Sequence, residues 1–417
     1  MTNSDYYFRE TCRICLSMNI QKVMELKPTP PGNNFIEKED IGLDEKKYPL
    51  ELYFCNNCHH LQLGHVVDPC ILYQNNYSYV SSTSSQFVNH LRDYATYMIN
   101  RFDLMPGTFV VDIGSNDGTC LNFFQENGMR VLGIDPAKNI ARKARNTGIK
   151  TIADFFSIDL AKRIKQDYGQ AGLITSHNAC AHIDDLDKVI EGIRHLLKDD
   201  GLFSMEVGYL YDVYKNTWFD TIYHEHLDYH TVEPLSHIFT RFNMEIISIQ
   251  RISPQGGSIR VIAQKINGKY DKDNSESELI KLEKKAGFDK PETFFEFAKH
   301  INAVRDNLVT LIKDIKQTGK TIAGFGAPTK ATTLMAHFGL GKEDIDFIVD
   351  DNKLKQGLYT PGTHVPIFSS DAIYKNRPDY LLILAWNFAE SIMKNHKFYL
   401  QEGGRFILPM PNPEIVK

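Results

Sequence analysis

Between Phe109 and Met205 the chain repeats one pattern, a short apolar run followed by an amphipathic stretch. The runs are Phe109-Val110-Val111, Val131-Leu132-Gly133-Ile134, Leu173-Ile174-Thr175 and Leu202-Phe203-Ser204-Met205. Apolar runs of strand length, separated by helical segments, predict a parallel, doubly wound sheet covered on both faces. That pattern occupies only part of the 417 residues, and single hydrophobic cores stop growing well below such a length. The division predicted is α/β throughout: a small N-terminal module over residues 1–70, a helical connection over 71–104, the doubly wound domain over 105–268, and a second, Rossmann-like α/β domain over 269–417. The segment 84–101 carries Phe87, Leu91, Tyr94 and Met98 at helical spacing. Phe297, Ile301, Val304, Leu308, Ile312 and Ile315 do the same after Pro291. Residues 271–278 are polar and charged and read as a loop or a domain connection.

The N-terminal block holds two Cys-x-x-Cys pairs, Cys12/Cys15 and Cys55/Cys58. One tight turn presents two thiolates to one tetrahedral ion, and two such turns fill the shell, so the expected ligand is a structural zinc with no open position. His59 and His60 stand next to the second pair as substitute ligands. Cys70, Cys120 and Cys180 are isolated and read as packing residues. Residues 1–11 are polar and lack the cationic start and apolar run of a secretory signal, and paired metal-binding cysteines suit a reducing compartment, so the expected location is cytoplasmic. The net charge of −5 and the absence of an Arg/Lys patch argue against nucleic acid as a partner. No stretch has the length of a membrane span. The expected state is a monomer or weak oligomer.

Residues 110–119, Val-Val-Asp-Ile-Gly-Ser-Asn-Asp-Gly-Thr, form an apolar strand, an acid, a glycine-bearing turn and a helix start. Gly114 and Gly118 let backbone approach a ligand at the strand's carboxyl edge. Their spacing is not that of dinucleotide folds, which disfavours NAD. Asp135, ending the second strand, can accept both hydroxyls of a ribose. Together Asp112, Gly114, Asn116, Gly118 and Asp135 resemble the cofactor site of class I S-adenosylmethionine (SAM) methyltransferases. That resemblance implies Asp154 beside the adenine and Asn178 at the edge of the transfer pocket.

Residues 218–230 contain three histidines, three carboxylates and two tyrosines. His226 and His230 are four apart, but Leu227 stands where a metalloprotease needs glutamate, so metal hydrolysis fits poorly. General acid–base chemistry fits better, since imidazole titrates near neutrality and a phenol can donate to a developing oxyanion.

Residues 219–227 (Phe-Asp-Thr-Ile-Tyr-His-Glu-His-Leu), following Glu206-Val207-Gly208-Tyr209-Leu210, resemble the sugar C-methyltransferases of deoxysugar biosynthesis. The cysteine pairs resemble that family's zinc module. Ile322 to Lys330, Val349-Asp350 with residues 355–363, and Ala385-Trp386-Asn387-Phe388 resemble its C-terminal domain. The resemblance implies SAM-dependent methylation of a carbon next to a ketone, in a nucleotide-linked sugar. His226 is then the base, with Tyr77 as rival; Tyr223 and Glu225 position substrate or stabilise charge, and His182 lines the same pocket. Tyr79 and His224 join the substrate set, as do Gly326 and Lys330, whose strand-to-helix turn could hold a diphosphate. Two other classes stay open: an O- or N-methyltransferase with the same cofactor turn, and a zinc-containing binding module.

Overall fold

In a computed structural model that describes residues 5–74 and 80–416, three sheets carry the architecture. The central sheet has seven strands, Phe109–Ile113, Arg130–Ile134, Thr151–Ile152, Ala171–His177, Leu197–Gly208, Met244–Ile252 and Ser258–Lys265, in the spatial order 3-2-1-4-5-7-6 counted along the chain. All run parallel except the last, which pairs antiparallel with both neighbours. The first strand is buried along its whole length, with Val111 and Ile113 in one apolar layer and Val110 in the other. That two-sided burial is why its apolar run is continuous rather than alternating. The strand order reverses between the first and fourth strands, and their carboxyl ends open there on a crevice, the place where doubly wound sheets bind ligands.

The helix Ser85–Phe102 lies on this sheet; Ser84 caps it, accepting from Phe87 N, and Leu91, Tyr94, Ala95, Met98 and Phe102 are buried. The C-terminal sheet has six strands, parallel but for the final Glu414–Val416. The 27-residue helix Pro291–Gln317 buries Phe294, Phe297, Ile301, Val304, Leu308, Ile312 and Ile315. Those side chains share one apolar core with Leu26, Leu52 and Phe54 of the N-terminal sheet, with Leu334 of the helix Thr329–Phe338 and with Leu382 of the C-terminal sheet.

That N-terminal sheet is antiparallel, and its four strands are Ile20–Thr29, Tyr48–Cys55, Leu61–Leu63 and, from a distant part of the chain, Asp228–Tyr229. The histidine-rich segment is therefore stitched to the cysteine-bearing module. The loop expected at 271–278 is a correction: a helix, Ser275–Lys285, begins inside it. Glu276 and Glu278 suit the positive end of a helix. Buried Glu283, which accepts from Val232 N and Tyr209 Oη, gives that polar helix its anchor.

Candidate active site

The four cysteines converge. Cys12 and Cys58 Sγ are 3.5 Å apart, Cys15 and Cys55 Sγ 3.4 Å, and all four lie within 4.8 Å of one another. A tetrahedron of sulfurs at about 2.3 Å from zinc has edges of about 3.8 Å, so the four thiols fit the ion and leave no ligand position open. His59 and His60 turn elsewhere, His59 to Glu233 and His60 to Asp228.

At the crevice, the turn after the first central strand uses positive φ at Gly114 (75°), Asn116 (50°) and Gly118 (81°). A Cβ on Gly114 would stand 2.5 Å from Ala179 Cβ, so glycine is required both by conformation and by close approach. Asp135 is held rigidly: Oδ2 accepts from Asn116 N and Oδ1 from Ala137 N, each at 2.9 Å. Burial pushes its carboxyl up to about 6, while each oxygen keeps a second lone pair for a ribose hydroxyl. Asn116 itself ties the segment before the Ser85–Phe102 helix to the turn, its Oδ1 accepting from Ser81 N at 2.8 Å. Asp112 is buried, its carboxyl is raised by that burial against the pull of His177, and its Oδ1 accepts no hydrogen bond among the described residues, His177 Nδ1 standing 3.9 Å away. An orphaned buried carboxylate oxygen at the mouth of the turn suits the cationic amino group of SAM. Asn178, with φ of 57°, and Asp154, paired at 3.5 Å with Arg163, stand on the rim of the same cavity, Asp154 half-exposed.

That cavity, about 2370 Å³, runs from the 112–118 turn to Tyr223, Glu225 and His226 and on to Lys330 and Lys355. His226 Nδ1 lies 2.8 Å from the carbonyl of Thr221, which can only accept, so Nδ1 carries the proton. Nε2 is left as a lone pair, and Tyr223 Oη donates to it at 2.8 Å. Burial, with Lys330 nearby as a smaller cause, drives the imidazole down to about 4, so it stays neutral. The His182 ring centre is 5.1 Å from that of His226 and stacks on Tyr73 at 5.9 Å; its burial also holds it neutral. Glu225 is buried, its carboxylate accepts from Asn33 Nδ2 at 2.8 Å, and burial pushes it up to about 7.

On the C-terminal wall, Lys330 Nζ sits 3.2 Å from the centre of the Trp386 ring and donates to Asn387 Oδ1 at 2.9 Å. Trp386 stacks on Trp218 at 4.7 Å and donates from Nε1 to Asp220 at 2.7 Å. Burial lowers Lys330 to about 8, against the pull of Asp220. Lys355 donates to the Ala327 carbonyl at 2.8 Å and is likewise lowered by burial.

The structure thus brings His226, Tyr223, Glu225, His182, Asp112, Gly114, Asn116, Gly118, Asp135, Asp154, Asn178 and Lys330 around one cavity. Tyr77 and Tyr79 lie outside the described residues; Tyr73 and Val80, on either side of them, both line the cavity. Two assignments need correction. His224 faces away: it packs edge-on to Tyr48 at 5.7 Å and lies 3.2 Å from that residue's carbonyl, because the chain turns between Tyr223 and His226, whose N donates to the Tyr223 carbonyl at 2.9 Å. Gly326 does not face the cavity; its N–H is spent on the Val349 carbonyl at 2.7 Å and its α-carbon is pressed against Ala385. Sequence reasoning missed His177 and Lys355, which line the cavity, and Arg13, whose only sequence signal is its place between two metal-binding cysteines.

Family models match in three consecutive stretches: a zinc binding domain over 12–73, a methyltransferase domain over 86–249 and a C-methyltransferase C-terminal domain over 253–411. The C-methyltransferase NovU of Streptomyces niveus is 36% identical over 407 residues, covering 98% of this chain and 97% of that protein. Among solved structures, PH0226 from Pyrococcus horikoshii aligns with 45% of this chain and 94% of its own, at 12% identity and a TM-score of 0.37. A SAM-dependent methyltransferase from Clostridium acetobutylicum aligns with 43% and 92%, at 12% identity and a TM-score of 0.34.

Proposed function

The chain belongs to the zinc-containing, SAM-dependent C-methyltransferases, and from that premise we propose that it methylates the carbon next to the ketone of a nucleotide-linked keto sugar, C3 of a 4-keto sugar in the simplest case. One observation carries the reading: a single cavity joins the cofactor turn, a neutral histidine whose Nε2 lone pair accepts from Tyr223, and two ammonium groups lowered by burial.

A ketone acidifies the C–H bond beside it, and the electron pair left by proton removal is shared with the carbonyl oxygen. His226 Nε2 takes the proton; the tautomer enforced by Thr221 makes that nitrogen the basic one. The hydroxyl of Tyr223, given to Nε2 in the resting site, is claimed by the substrate's ketone oxygen, so the same movement bares the base and stabilises the oxyanion. Glu225, held near neutrality by burial, and His182 position the sugar's hydroxyls. Asp112, Asn116 and Asp135, with Asp154 and Asn178 at the edge, would hold SAM, which when bound would supply an electrophilic methyl for the carbanion and leave as S-adenosylhomocysteine. Lys330 and Lys355 hold the anionic carrier from the C-terminal domain, 269–417, while the module 1–70 braces the histidine segment. Zinc in that module has no open site and acts structurally.

Purified enzyme and SAM offered to a panel of 4-keto nucleotide sugars, read by mass, tests the substrate class. A gain of one methyl on the sugar, at carbon, is expected; methylation of an oxygen or nitrogen, or none across the panel, contradicts it.

A further inference from the structure

Arg13 sits between the first two zinc-binding cysteines, yet its side chain is wholly inaccessible to solvent. A buried guanidinium is costly unless its donors are used; Nε and Nη1 of this one make three bonds, and Nη2 has no partner among the described residues. Nη1 donates to the Leu63 carbonyl at 2.7 Å and to the Leu227 carbonyl at 3.4 Å, and Nε donates to Asp184 Oδ1 at 2.9 Å. Leu227 follows His226, and Asp184 lies two residues beyond His182. The two segments are also tied directly, Leu227 N to Ala181 O at 2.8 Å, and Leu63 N donates to Leu227 O at 2.9 Å. Asp184 is gripped further by Tyr7 and, at 3.0 Å, by Arg9. None of these bonds reaches the 112–118 turn or its sheet.

We propose that Arg13 is a positioning residue for methyl transfer: carried by the zinc-binding turn, its guanidinium fixes the 181–184 and 225–228 segments against each other and so sets the spacing of His182 and His226. The zinc module then acts on the chemical step without touching the cofactor. Lysine cannot replace it, because one ammonium cannot span two carbonyls and a carboxylate in fixed directions. The inference rests on the assignment of His226 as the base, and a shift of even about 1 Å in such a group can cost about a hundredfold in rate.

The test is Arg13→Lys in the full-length, zinc-loaded protein, with Asp184→Asn as the second variant should the first not fold. Zinc content, melting and SAM affinity by calorimetry are expected within twofold or a few degrees of wild type. Amide exchange, which needs no substrate, is expected to rise at least tenfold at 181–184 and 225–228 and to stay unchanged at 110–120. With a 4-keto nucleotide sugar, kcat is expected to fall at least tenfold, and its acid limb to move up from near pH 4 as water reaches His226. Unchanged exchange at 181–184 and 225–228, or exchange raised equally across 110–120, overturns the proposal. If His226→Asn stays active while the exchange pattern appears as described, the assignment of the base fails and the bracing by Arg13 stands.

Discussion

The hydroxyl of Tyr223 lies 2.8 Å from Nε2 of His226, three residues along and with ring centres 4.0 Å apart. The pair is a poised donor and acceptor rather than an ion pair, because burial keeps the imidazole neutral. Removing the imidazole removes the base while leaving the cofactor turn intact. His226→Asn is expected to lower kcat by about 10²–10⁴-fold, with SAM affinity within twofold of wild type by calorimetry. Tyr223→Phe is expected to cost less, since it removes the oxyanion donor and leaves the base.

The pH profile follows from the same burial. His226 is active when neutral, hence above about 4, so at saturating SAM the acid limb of kcat is expected near pH 4 and not near the ~6.5 of a free imidazole. In the proposed anchoring of the anionic carrier Lys330 is needed as a cation, hence below about 8, so the alkaline limb is expected there. Lys330→Gln is expected to lower activity and abolish that limb. An unchanged limb in the variant assigns it to another group.

In the proposed cofactor site Asp135 accepts ribose hydroxyls as a carboxylate, and burial raises its pKa to about 6. SAM affinity is therefore expected to be flat above pH 6 and to fall as pH drops below it. Asp135→Asn is expected to weaken SAM binding about tenfold and to flatten this dependence, both read by calorimetry.

Much of this arrangement was legible in the sequence, because periodicity reports burial. The helices Ser85–Phe102 and Pro291–Gln317 follow the 3.6-residue spacing of their apolar residues, and the central strands follow their two-sided apolar runs. The cysteine cluster was legible from spacing alone. What no local pattern carries is pairing between distant segments. Asp228–Tyr229 joins Leu61–Leu63, some 160 residues earlier, and two residues are too short to show alternation. Arg13 has no signal but its position. His224 lies off the cavity because closeness in sequence to His226 does not fix direction across a turn: His224 meets the Tyr48 carbonyl and His226 that of Thr221.

Losing one thiolate opens the tetrahedron. Cys55→Ser is expected to reduce zinc content and lower the melting temperature, since metal binding free energy is folding free energy in such modules. Because Asp228–Tyr229 pairs with the sheet that Cys55 terminates, activity is expected to fall with it. Full zinc content with unchanged melting contradicts the four-thiolate assignment.

The central claim is a carbon acid deprotonated by His226, and solvent isotope exchange reads that step alone. The enzyme, with S-adenosylhomocysteine filling the cofactor site, is incubated in D₂O with the 4-keto nucleotide sugar, and deuterium at the carbon next to the ketone is followed by NMR. The account predicts incorporation well above the enzyme-free rate in wild type and its loss in His226→Asn. No incorporation in wild type, or undiminished incorporation in the variant, contradicts it.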